Sequence, residues 1–177
     1  MATAPRDFRF TCACCGKAVT GVPDLAYAAP IYFDQLPEAE RPSRAELSSD
    51  FCVIDATDYF IRVVCPLPIQ GMDEMFMWGV WVTLSEANFR RYRDSFDDPD
   101  QSELGGMFGW LSNRIPYYPD TLNLQTTVWP QDGDQRPHLW VNGTHADHPL
   151  YREQREGMSL ARLGEIYAKE VCAGSGD

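Results

Sequence analysis

Long apolar runs are missing from this 177-residue chain. No stretch approaches the roughly 18 uncharged apolar residues that a membrane-spanning helix needs, so no membrane partner is expected. Met1 to Phe10 holds two arginines and no apolar block of the kind an export signal requires, and the expectation is a cytoplasmic protein. Basic residues are scarce as well. Fifteen Lys and Arg against 26 Asp and Glu leave a formal net charge of -11, which disfavours nucleic acid and anionic lipid and would steer in another protein with a basic surface. The chain also lacks a phosphate-binding glycine loop, a dinucleotide fingerprint, a nucleophile elbow, a kinase motif set and a nucleic-acid-binding motif.

Cysteine is sparse too. Six residues, at 12, 14, 15, 52, 65 and 172, are too few for a disulfide-built secreted scaffold, so free thiols or metal ligands are expected. What is plentiful is apolar and aromatic material: 44% hydrophobic residues, including 5 Trp, 8 Tyr and 9 Phe, exclude a disordered chain. A chain of this length buries about 70% of its unfolded surface in one core, and residues 8–172 are expected to form a single domain with flexible termini at 1–7 and 173–177.

The periodicity predicts an α+β fold, a mostly antiparallel sheet with packed helices and an N-terminal cysteine knuckle. Phe51 to Ile54 and Tyr59 to Val64 are rich in β-branched and aromatic residues and flank turn residues, as in a hairpin. Cys65-Pro66-Leu67-Pro68-Ile69 is expected to leave the ladder, since proline cannot donate to it. Phe76 to Val82 is apolar on both faces, the mark of a covered strand. Thr83-Leu84-Ser85-Glu86 fits a capping box with Thr83 at the cap, ahead of a helix to Phe96. Leu122 to Val128 alternates like a strand with one wet face, and His138 to Val141 offers a short partner. Ser159 is expected to cap a last helix whose stripe is Leu160, Leu163, Tyr167 and Val171.

Few residues carry chemistry. Cys12 and Cys15 have the spacing of a metal knuckle, in which a tight turn aims two thiolates at one tetrahedral ion such as structural zinc. The same spacing suits a dithiol redox pair, or thiols that only pack a turn. Cys52 is the first choice for a third ligand, as its strand could neighbour the knuckle. His145-Ala146-Asp147-His148 is the one local cluster of imidazole and carboxylate, and Asp147 with His148 is a candidate catalytic pair, against the simpler reading that both fix a turn. Trp78, Trp81, Trp110, Trp129 and Trp140 with Tyr117 and Tyr118 read as core first and as a binding groove second. With no complete catalytic constellation, the leading functional expectation is a non-catalytic protein-binding or accessory domain; the alternative is an enzyme, a hydrolase or thiol oxidoreductase using the His/Asp segment or the cysteine pair.

Six separated segments carry a family likeness: Phe10 to Lys17, Leu47 to Asp55, Trp78 to Glu86, Phe108 to Asn113, Tyr118 to Thr121 and Asp147 to Leu150. In that order they resemble the bacterial family catalogued as domain of unknown function 2199. The resemblance spans about Phe8 to Ile166 and implies one shared fold, with no reaction, substrate or partner attached. It also implies a knuckle of the form Cys-x-x-Cys-Gly followed by a histidine, where this chain has Lys17-Ala18-Val19, and it places Cys52 at a family cysteine position.

Overall fold

β-branched and aromatic side chains are densest between Phe51 and Leu84, and the two longest strands form there. The structure is a computed structural model that describes residues 9–12, 14–22 and 25–172. The expectation of flexible ends at 1–7 and 173–177 falls outside the described residues. The strands are β1 (Arg9–Thr11), β2 (Ala18–Thr20), β3 (Leu25–Ala26), β4 (Ala45–Leu47), β5 (Phe51–Ile54), β6 (Asp58–Pro68), β7 (Met75–Leu84), β8 (Met107–Leu111), β9 (Gln125–Trp129) and β10 (His138–Val141). The helices are α1 (Ile31–Asp34), α2 (Arg41–Arg44), α3 (Glu86–Asp94), α4 (Pro149–Glu156) and α5 (Leu160–Tyr167). The fold is α+β. None of the described helices is long and apolar enough to cross a membrane.

β1 and β2 form a small antiparallel hairpin, and the other eight strands form one sheet in the order β3-β7-β8-β9-β10-β6-β5-β4. A further pairing of β7 with β6 closes five of them, β6, β7, β8, β9 and β10, into a ring. The sheet is mixed rather than wholly antiparallel: β3 runs parallel to β7, and β10 meets β6 in parallel at His138 and Val64.

The prolines of β6 do not end it. The ladder with β7 continues through Cys65↔Trp78, Pro66↔Met77, Leu67↔Phe76 and Pro68↔Met75, contrary to the sequence expectation. The reason is which way the backbone points. The Pro66 and Pro68 carbonyls accept from Gln154 and Met158, on the side away from β7, so the missing N–H groups fall where the ladder has no need of them.

Alternation along the strands separates two faces. Ile61, Val63, Cys65 and Leu67 of β6, Trp78, Val80 and Val82 of β7, Leu111, Val128, Leu139 and Val141 all lie in one buried cluster. Helices supply its cover: Phe89 and Tyr92 from α3, Leu150 from α4, and Leu163 and Ile166 from α5. Each such side chain contributes about 1.5–3 kcal/mol of burial free energy. A smaller cluster of Cys52, Ile54, Phe60 and Trp81 packs on the opposite face beneath Tyr32, Phe33 and Leu36.

Two caps show how local chemistry sets the helix starts. Ser85, not Thr83, caps α3 by accepting the Asn88 N–H, because Thr83 is still in β7 opposite Phe60 and Trp110. Ser159 caps α5 as expected, accepting the Arg162 N–H at 3.1 Å. Leu163 and Ile166 face the core, Leu160 is exposed, and the chain continues as a π-helical turn over Ala168–Cys172.

Candidate functional site

Taken one by one, His148 and Cys52 are built into the fold, whereas Asp147 and Cys15 lie at the surface. His148 caps α4: its Nδ1 accepts the Leu150 N–H at 3.1 Å, and its Nε2 lies 3.2 Å from the Pro119 carbonyl. Pro149 at the first helical position completes that start. Asp147 points into solvent and ion-pairs with Arg152, so it does not orient the His148 ring. His145 likewise accepts a backbone N–H, that of Gln125, at 3.0 Å. Both imidazoles thus use a ring nitrogen as a backbone acceptor.

The cysteines divide in the same way. Cys52 is fully buried between Leu47 and Phe60 across its strand neighbours, and burial pushes its thiol up to about 12. Cys65 is also buried, takes the Gln154 side-chain N–H at 3.3 Å, and is pushed up to about 12 by burial. Neither is a thiolate at neutral pH. Cys12 is buried at the end of β1, while Cys14 and Cys15 are exposed in the turn. That turn is closed by Cys12 N–H donating to Lys17 O at 2.8 Å and Gly16 N–H donating to Cys12 O at 2.9 Å. Among the described residues no three His, Cys, Asp or Glu side chains are grouped to hold a metal, so Cys52 is not brought to Cys12 and Cys15. Its strand lies in the large sheet and theirs in the separate hairpin.

The segments of the family likeness contact one another. Asn113 accepts the Trp81 N–H through Oδ1 at 2.7 Å and donates through Nδ2 to Ala29 O at 3.0 Å, while Trp81 Nε1 donates to Tyr27 O at 3.1 Å. Thr121 Oγ1 donates to Asn113 O and accepts the Ile115 N–H, each at 2.8 Å. The His148 contact with Pro119 joins two more of the segments, and Ser48 accepts the Phe51 N–H at 3.0 Å within another. A sequence profile described as an uncharacterized protein conserved in bacteria, DUF2199, matches residues 11–158. The chain belongs to the DUF2199 family. No curated protein and no solved structure matches it. In this DUF2199 member the shared segments read as joints of the fold.

Three of the exposed large apolar residues are aromatic and share one sheet face. Phe108, Trp110 and Trp129 are 46%, 41% and 47% accessible, on the outer face of β8 and β9, whereas Trp78 and Trp81 are buried. Alternation explains the difference: Met107, Gly109 and Leu111 take the inner face of β8, so Phe108 and Trp110 must point out. Gly109 lets β8 approach β7, since a Cβ there would sit 2.6 Å from Thr83 O and overlap the Val82 side chain. The Phe108 and Trp110 rings meet edge to face at 5.2 Å. Beside them, Tyr32, Phe60, Trp110 and Asn88 line a cavity of about 720 Å³ whose rim carries the exposed carboxylate of Asp58. The sequence reading favoured core for Trp110 and Trp129. The signal that separates them is strand parity, one position out of phase with their buried neighbours.

Proposed function

We propose that this protein is a non-catalytic binding domain whose recognition surface is the exposed aromatic face of β8 and β9 with the adjoining cavity. The observation that carries this reading is the exposure of Phe108, Trp110 and Trp129 together on one sheet face, since clustered exposed rings mark interaction surfaces. The partner is a protein segment that presents lysine or arginine among apolar side chains. Its hydrocarbon covers the rings, a cation lies over Trp110 beside the Asp58 carboxylate, and the net charge of -11 draws it in.

The enzymatic alternative has less support. Both nitrogens of His148 are used in holding the chain, and Asp147 faces Arg152 instead. A zinc knuckle at Cys12 and Cys15 would need a ligand from outside the described residues or from a partner. The cytoplasmic placement belongs to the same proposal and accords with the buried, unbridged thiols of Cys52 and Cys65.

Capture from cell extract tests the reading when wild type is compared with the Trp110→Ala, Trp129→Ala double variant. Support requires a basic partner that wild type retains, that the double variant loses, and that high ionic strength releases. Equal retention by both proteins would remove the aromatic face from the account.

A further inference from the structure

A second cavity, of about 540 Å³, opens where β5 and β10 approach the same edge of β6, and Arg62 of β6, one of the described residues with a buried unpaired donor, lines it. Asp50, Arg136 and His138 line it as well. Arg136 Nε pairs with Asp50 Oδ1 at 2.9 Å. That contact engages the carboxylate whose charge acts on Arg62. Arg62 itself keeps one long contact, Nη1 to Ser49 O at 3.5 Å, and its Nε is buried with no hydrogen-bond partner among the described residues. A guanidinium presents a rigid fork of donors suited to a planar carboxylate, and a buried N–H left without an acceptor is disfavoured. Burial and the neighbouring Arg136 charge both press the Arg62 pKa below its ordinary value, against the opposing pull of Asp50.

We infer that this cavity is a binding site for a small monocarboxylate with a hydrocarbon body, its carboxylate seated on the Arg62 guanidinium. The walls fit the body: Leu25, Val64, Met77 and Phe96 supply apolar surface. The remaining carboxylates select against higher charge. Asp97 and Asp134 lie exposed at the lining, and together with Asp50 they oppose a phosphate or other polyanion more than a single carboxylate. This site shares no lining residue with the cavity beside Phe108 and Trp110, and it stands independently of the protein-binding reading.

The test is a titration of the full chain followed by the NMR signal of the Arg62 Nε–H group. The probes are 3-phenylpropionate, its neutral analogue 3-phenylpropionamide, and inorganic phosphate. The carboxylate is expected to shift the signal saturably, with the amide and phosphate at least about tenfold weaker, the scale of one charge-assisted hydrogen bond. Arg62→Lys should weaken 3-phenylpropionate by a similar factor, as Lys keeps the charge and loses the fork. Because the wild-type signal is read directly, the result does not depend on how well the variant folds. No saturable shift with 3-phenylpropionate, or equal binding of the amide, would overturn the site; tighter binding of phosphate would overturn the monocarboxylate assignment.

Discussion

The side chain of Gln154 stands in for a strand at Val141: its Oε1 accepts the Val141 N–H at 2.8 Å, while its Nε2 donates to Leu139 O at 2.8 Å. β10 is paired with β9 along its length but with β6 only at His138 and Val64, so on the edge toward β6 the Val141 N–H and the Leu139 carbonyl rely on this side chain. Replacing Gln154 with Leu keeps the volume and removes both bonds. Unfolding free energy should fall by about 2–4 kcal/mol, read by urea or guanidinium denaturation, since each buried polar group left unpaired costs about 1–3 kcal/mol.

Gly109→Ala should be costly for a different reason. The new methyl would meet Thr83 O at 2.6 Å, a backbone atom fixed in the β7 ladder. Overpacking of this kind costs about 1–3 kcal/mol, and thermal unfolding should show the loss. Gly106→Ala makes a useful comparison, because the obstacles there are side chains, the Thr127 methyl and the surface ring of Trp129, each at 3.0 Å, and the loss should be smaller.

Near neutral pH, His138 contributes to the pH dependence. Burial holds the His138 imidazole below its ordinary value, so the folded state binds its proton less readily than the unfolded chain. Its contribution is complete above the unfolded value near pH 6.5 and is lost as pH falls from there toward the lower folded value, by at most about 1.4 kcal/mol per pH unit. Arg62, Arg136 and Asp50 line the same cavity as His138. The stability of wild type relative to His138→Gln, measured between pH 7 and pH 5 (about the window above), should therefore fall toward lower pH.

Thiol labelling should follow exposure. Iodoacetamide is expected to modify Cys14 and Cys15 in the native protein, and Cys52 and Cys65 only after denaturation, because burial keeps both of the latter as thiols, near 12. Mass spectrometry of peptides from native and denatured samples gives the order directly.

Much of the strand framework was legible because period-two patterning in β5, β7 and β9 reports burial on one face. The fate of Pro66 and Pro68 was not, since the side of β6 that lacks donors depends on what lies across from it, here Gln154 and Met158. Closure of five strands into a ring was hidden for the same reason. The sequence offers only a turn at Asp147 and His148 where α4 begins, although Pro149 stands at its first position; its cap is a histidine, a residue type whose backbone-accepting role competes with more familiar chemistry. At the site, the sequence pointed to cysteine and histidine by residue type, whereas exposure singled out Trp110, Trp129 and Phe108. Arg62 was illegible altogether, because the absence of a partner for Nε is a property of three strands meeting.

The central claim rests on the outer face of β8 and β9, and indole NMR signals report on it most directly. A peptide alternating lysine and leucine is titrated into the protein, and the Nε1–H resonances of all five tryptophans are followed. The account predicts saturable shifts at Trp110 and Trp129, weakened by salt and absent with a glutamate-leucine peptide, while the buried Trp78 and Trp81 stay in place. Unmoved Trp110 and Trp129 signals, or equal shifts with the acidic peptide, would contradict it.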